Sequence, residues 1–355
     1  MNLGDGSMTL MTILQSGINE LLEYLSAHVL TCLVPAFFIA GGVAALVSTG
    51  AVLKYFGPRA PKHLAYGVAS VSGGILAVCS CTVLPLFAGI HKKGAGLGPA
   101  VTFLFSGPAI NILAIVLTAR KMGWELGLAR AIGAVVFSIV IGLLMAFIFR
   151  KEERRKLNDD AGMFAGEEGK PVGHLLAFFG TLMAILLFGT MAIPFWSKVA
   201  IIMALLSFLA VVLTQWYDGD EVREWLLETW KFVKLIFPIL LVGVFVAGVL
   251  KVVIPTHWIS SSVGGNSLSA NLVASVVGSL MYFSTLTEVP IVKALLDMGM
   301  GKGPALALLL AGPSLSLPNM LVVRSVMGTK RTLVYVLLVV TLATVTGMIF
   351  GSIVG

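Results

Sequence analysis

Charge is what this chain has least of. Of its 355 residues, 58% are hydrophobic and only 12% are charged, well past the roughly 45–50% apolar share of soluble domains. So much apolar surface cannot be hidden in a soluble core. Cysteine is scarce too: Cys32, Cys79 and Cys81 are the only three, too few for a disulfide framework. The N-terminus lacks the basic region of a secretory leader and carries Asp5, Glu20 and Glu23 instead, so no removable signal peptide is expected. Walker, H-E-x-x-H and G-x-S-x-G sequences are missing, and neither ATP hydrolysis nor a familiar membrane protease or hydrolase is indicated. An enzyme is not expected, and nothing calls for a cofactor or a resident metal.

What the chain does have is a series of apolar runs of the length that crosses about 30 Å of hydrocarbon. They lie at 29–50, 98–119, 127–149, 174–194, 198–215, 232–254, 303–324 and 332–354. Two more, 64–91 and 271–297, are interrupted. The expected fold is an all-α polytopic protein of the cell membrane, with about eight transmembrane helices plus two re-entrant helical hairpins. If both interrupted segments cross fully, about ten spans result instead. Residues 8–26 read as an amphipathic helix at the membrane surface, in the plainer and preferred reading a lead-in to the first span. The expected divisions are an N-terminal segment 1–27, a first membrane repeat 28–150, a cytoplasmic loop 151–172, a connecting helix pair 173–230 and a second membrane repeat 231–355. The formal charge of +7 sits in short loops beside the spans, where Lys and Arg retain loops in the cytoplasm. Lipid is therefore the expected partner, and nucleic acid is not.

Internal repetition sets the architecture. Gly94-Ala95-Gly96-Leu97-Gly98-Pro99-Ala100 is echoed 205 residues on by Gly299-Met300-Gly301-Lys302-Gly303-Pro304-Ala305. The same spacing takes Pro85 to Pro290 and Gly107-Pro108 to Gly312-Pro313, and Pro35 lies near the counterpart of Pro238. Four landmarks in one order point to a duplication. Proline and glycine inside an apolar segment free backbone groups that lipid cannot satisfy, so broken backbone has to face protein or a water-filled cavity. Duplicated breaks point to a site between the halves, as in secondary transporters built from paired repeats. With hairpins at 64–91 and 271–297, the basic loops at Lys54 to Lys62, Lys92-Lys93, Arg150 to Lys156 and Lys330-Arg331 share one side. That side is the cytoplasm, and the repeats are then inverted. Arg120, Lys121 and the acidic loop at Asp218, Asp220 and Glu221 are the exceptions.

The chemistry is expected at the breaks. Cys79-Ser80-Cys81-Thr82 precedes Pro85; in a turn at a hairpin tip both thiols converge, whereas in a regular helix residues i and i+2 point apart. Thiolates suit soft metals or metalloids and also exchange disulfides, while small cysteines equally serve as packing. Cys32 is a candidate third thiol. Opposite stand Ser284, Thr285, Thr287 and Glu288, before Pro290. An acid inside the membrane is a functional candidate by default, and Glu288 is the candidate for proton coupling; the plainer reading places it near outer water or paired with Lys293. At the second pair of breaks, Asn111 on one side and Ser314, Ser316 and Asn319 on the other offer neutral donors and acceptors. They serve either a polar solute or the broken helix itself.

The run Cys79-Ser80-Cys81-Thr82-Val83-Leu84-Pro85-Leu86, with Gly89-Ile90-His91-Lys92-Lys93-Gly94-Ala95 and Phe103-Leu104-Phe105-Ser106-Gly107-Pro108-Ala109-Ile110-Asn111, resembles the signature of the ArsP-like predicted permeases. That family includes efflux permeases for trivalent organoarsenicals. The resemblance implies a permease exporting a small, thiol-reactive solute, with Cys79 and Cys81 as the family's cysteine pair. Thr82 stands where Gly commonly follows that pair, and Cys32 matches no family motif. Two other readings stay open: a membrane thiol-disulfide carrier using Cys79 and Cys81 with a thioredoxin-like partner, and a membrane scaffold. The oligomeric state is not legible.

Overall fold

The computed structural model describes residues 10–26, 33–47, 56–57, 60–76, 80–153, 171–191, 193–253, 262–281 and 288–354. Among the described residues every regular element is a helix. The first half holds α1 Leu10–Tyr24, α2 Val34–Leu46, α3 Lys62–Leu76, α4 Ser80–Lys92, α5 Leu97–Ala109, α6 Ile112–Met122 and α7 Trp124–Ile148. A helix pair, α8 Val172–Thr190 and α9 Phe195–Trp216, follows. The second half holds α10 Gly219–Val253, α11 Leu268–Leu280, α12 Glu288–Asp297, α13 Lys302–Leu315, α14 Leu317–Met327 and α15 Thr329–Val354.

Each expected apolar run contains a helix. Among the described residues α7, α8, α9, α10 and α15 are long and apolar enough to cross a bilayer, and α5 with α6 and α13 with α14, each bent by 47°, meet the same measure as pairs, giving five to seven candidate spans. The run 29–50 contains α2, a shorter apolar helix of 13 residues. Bound by its own small residues, α1 lies along α10: Ser16 Oγ donates to the Gly248 carbonyl at 2.8 Å, and a methyl on Gly17 would sit 2.6 Å from the Phe245 ring.

The two interrupted segments leave and return at one place. The Gly96 N–H donates to the Phe56 carbonyl at 2.8 Å, closing the mouth of α3 and α4. The Gly301 N–H donates to the Val263 carbonyl at 3.0 Å, beside an antiparallel bridge between Gly264 and Met300, closing the mouth of α11 and α12. The longest of these four helices has 15 residues, a rise of about 22 Å against some 30 Å of hydrocarbon.

Helix boundaries recur at the sequence spacing. Starts at Leu97, Ile112 and Trp124 stand 205 residues before those at Lys302, Leu317 and Thr329. Gly94 and Gly299, at φ 87° and 100°, turn the chain out of the hairpins, and Gly123 and Gly328, at 103° and 85°, turn it into α7 and α15; all four occupy the left-handed region that a Cβ disfavours. The tightest helix crossings also recur. A methyl on Gly98 would lie 2.1 Å from Tyr66 Oη and 2.9 Å from the Gly142 carbonyl, and one on Gly303 would lie 2.5 Å from the Gly347 carbonyl and 3.1 Å from Asn271 Oδ1. Backbone therefore touches backbone where α5 crosses α7 and where α13 crosses α15, the small-residue packing by which helices associate in lipid.

α7 and α15 run antiparallel. Just past the end of α7, Glu152 pairs with Arg331 at 3.1 Å and Lys330 at 3.3 Å, at the start of α15. At the opposite end Lys302 lies 3.8 Å from Glu125 and donates to the Val354 carbonyl at 3.2 Å.

Candidate functional site

In the first interrupted segment α3 ends at Leu76 and α4 begins at Ser80. α4 runs from Ser80 through Pro85 to Lys92, so Ser80, Cys81 and Thr82 form its first turn. As the sixth helical residue, Pro85 has no N–H to give the Cys81 carbonyl, which leaves an acceptor at the head of the hairpin. Pro290 is the third residue of α12, where the N–H is free of the helical ladder anyway. Thr82 is fully buried. Cys32, Cys79, Ser284, Thr285 and Thr287, and with them the expected convergence of thiols, lie outside the described residues.

The clearest constellation gathers around Glu288, at the head of α12. Its side chain is 1% exposed and its Oε2 accepts from Arg130 Nη2 at 3.1 Å; Arg130, on α7, is 0% exposed. Arg130 Nη1 donates to Thr118 Oγ1 at 3.0 Å, and Thr118 passes its own proton to the Ala114 carbonyl at 2.7 Å. Asn111 Oδ1 in turn accepts from the Ala114 N–H at 3.2 Å. A polar chain thus runs from the cap of α6 to the head of the second hairpin. Glu288 does not pair with Lys293, as the plainer reading had it, because Lys293 bonds Asp297 one turn along the exposed face of α12. Nor does it face outer water.

The pair is only half made. Glu288 Oε1 and Arg130 Nε are both buried without a hydrogen-bond partner, so the guanidinium edge meets one carboxylate oxygen where a bidentate fork would meet two. The glycine of the second Gly-Pro pair makes room for this carboxylate: a methyl on Gly312 would lie 2.7 Å from Glu288 Oε1. An unpaired ionised group in such surroundings is strongly disfavoured, so Arg130 and Glu288 depend on each other.

At the second pair of breaks the polar residues separate by role. Asn111 caps α6, which is the structural of the two roles expected of it. Ser316 holds the matching position before α14 but makes no cap bond, and its Oγ is buried without a partner. Ser314 Oγ turns back to the Leu310 carbonyl at 3.4 Å, while its own carbonyl accepts from Tyr335 Oη at 3.3 Å. Asn319 is buried in the first turn of α14, where Pro318 packs on Gly243 of α10. Among the described residues no group of three His, Cys, Asp or Glu side chains could hold a metal ion.

Arg130 and Thr118 are the residues that sequence reasoning missed. The signal for Arg130 was present: it is the only charged residue in the run 127–149, and an isolated intramembrane charge marks a site by default. Thr118 carried no such signal.

The sequence pattern of the ArsP_1 family, described as a predicted permease, matches residues 15–352. The UPF0718 protein MJ0584 of Methanocaldococcus jannaschii is 44% identical over 365 aligned positions, covering 97% of each chain. A protein of Streptococcus mutans named as a putative two-component membrane permease complex subunit is 23% identical, covering 84% of this chain and 83% of its own. The UPF0718 protein YraQ of Escherichia coli is 22% identical, covering 71% of this chain and 58% of its own. No solved structure matches the chain. A multi-pass helical chain whose hairpin head is charge-paired across its two halves, and whose sequence fits this pattern nearly end to end, belongs to the ArsP_1 family of predicted permeases.

Proposed function

We propose that this permease is a secondary-active exporter built from two inverted repeats, moving a small solute through a site between the two hairpin heads. Inversion is supported by the antiparallel run of α7 and α15, whose starts stand 205 residues apart. The pairing of Glu152 with Lys330 and Arg331 fits a second hairpin that returns to its side of entry; a single full crossing by 271–297 would put these groups on opposite faces of the membrane. On this reading the chain has eight spans, counted with 29–50, and two re-entrant hairpins.

The observation that carries the reading is Glu288, a fully buried carboxylate at a hairpin head, tied to Arg130 of the other half. Rocking of one half against the other breaks or remakes that tie, and Glu288 is the group that exchanges protons to drive export. The residues assigned to the solute are Cys79, Ser80, Cys81 and Thr82 in the first repeat and Ser284, Thr285, Thr287, Glu288, Ser314, Ser316 and Asn319 in the second. The soft thiols favour a thiol-reactive solute, of which a trivalent organoarsenical is the model. Everted membrane vesicles energised with a proton gradient test this: methylarsenite should accumulate with the intact chain, and Cys79→Ser should abolish uptake while protein levels hold. Absence of flux for arsenicals, thiols and soft metals alike would sink the proposal.

A further inference from the structure

We propose that Arg130 is an anion site, occupied by a compact monovalent anion whenever Glu288 is protonated. The place of this step in a transport cycle rests on the permease reading above; the site itself rests on the geometry. A guanidinium stays charged at any working pH, and Arg130 is 0% exposed, so it requires a counter-charge within reach. From α12 that charge is Glu288, since Lys293 is engaged by Asp297. Among the described residues α6 gives Arg130 the neutral Thr118, α13 sets Gly312, which has no side chain, against Glu288 Oε1, α5 holds no charged residue, and the charges on α3 and α15 are the basic Lys62, His63, Lys330 and Arg331. When Glu288 takes a proton, nothing on these packed elements replaces it.

The vacant atoms give the anion its shape. Nε of Arg130 has no partner, while Nη2 beside it holds a single carboxylate oxygen of Glu288. Nε and Nη2 form one planar edge, which a two-oxygen anion such as a carboxylate would grip bidentately. Charge balances throughout: the ion pair is neutral, and protonated Glu288 with Arg130 and one bound anion is neutral too. One proton and one anion therefore enter or leave together, and by linkage each raises the other's affinity.

The test uses full-length protein in detergent, with sodium formate as the probe and the thermal unfolding midpoint as the readout. Glu288→Gln should gain a midpoint that climbs by a steady increment with each tenfold increase in formate. Intact protein at alkaline pH should not respond, and neither should the double variant Arg130→Gln, Glu288→Gln. A single variant that ignores formate, or a double variant that responds equally, overturns the proposal. Should Glu288→Gln fail to fold, the intact protein decides: a formate response in mild acid that vanishes at alkaline pH supports the site, and no response in acid overturns it. Formate acting more strongly than chloride marks a carboxylate-bearing solute as the ligand; equal action marks an inorganic anion, and both results support the site. A formate response alongside vesicles that carry no solute leaves the anion site standing and removes the permease reading. The reverse pattern removes the site alone.

Discussion

Glu288 and Val83 hold corresponding places 205 residues apart, as do Arg130 and Tyr335, and Thr118 and Val323. All six are buried. In the first set a carboxylate, a guanidinium and a hydroxyl bind one another across the two halves; in the second, valines hold the places of the acid and the hydroxyl, and the phenol gives its proton to the Ser314 carbonyl. The helix crossings show the opposite tendency, since Gly98 over Gly142 and Gly303 over Gly347 repeat the same close approach. The frame is kept in duplicate while charge is concentrated at one hairpin. A small frame tolerates little variation where backbones touch, but a hairpin head can exchange ionic for apolar chemistry without moving the helices that carry it.

Three measurements would break or sharpen this contrast. The largest effect belongs to the charged set: Arg130→Met should cost about 3–5 kcal/mol by stranding Glu288, whereas Tyr335→Phe should cost about 1 kcal/mol, the worth of one neutral hydrogen bond. Thermal unfolding of the two variants compares them. Equal losses would mean that the halves differ in composition but not in energetics. Next come the crossings, where Gly98→Ala and Gly303→Ala should each cost about 1–3 kcal/mol through overpacking, and by similar amounts. A cost confined to one half would end the claim of a shared frame.

The smallest effect lies at the surface. Hydrogen bonds from Arg331 first and Lys330 second hold the Glu152 carboxyl below the usual carboxylate range. A depressed value means that the contribution is complete above the unfolded value of about 4.3 and is lost as pH falls through the lower folded one. Because Glu152 is 43% exposed, solvent screening limits the worth of the pair to about 0.5 kcal/mol. Glu152→Gln should lower the unfolding midpoint slightly at neutral pH and not at all in strong acid; a deficit that persists in acid would assign the effect to something other than charge.

The sequence reveals the spans, the interrupted segments and the landmark glycines because each is a local matter of composition and backbone freedom. It reveals Glu288 as a charge out of place. It does not reveal the partner, because Arg130 lies 158 residues away and only the fold decides which buried cation meets which buried anion. Lys293 was the nearer candidate in sequence, but on α12 it faces outward to Asp297. Pro85 is a less direct marker than the break beside it. Proline marks where a helical hydrogen bond is lost, yet a helix can begin several residues earlier, as α4 does at Ser80, when the vacated carbonyl lies close enough to its end. Asn111 could be read two ways from sequence, and the 3.2 Å bond from the Ala114 N–H shows its Oδ1 in the capping role.

The closed mouths of the hairpins also bear on how such a chain is assembled. Phe56 and Gly96 share one hydrogen bond, as do Val263 and Gly301, so to the rest of the chain each hairpin is a detour that begins and ends at one point. Segments with adjoining ends are the ones that protein chains gain, lose and exchange most readily, because no span has to be rebuilt when they go. Each hairpin is in that sense a cassette set into a bundle that closes behind it, and its head can be rewritten without disturbing the order of the spans on either side.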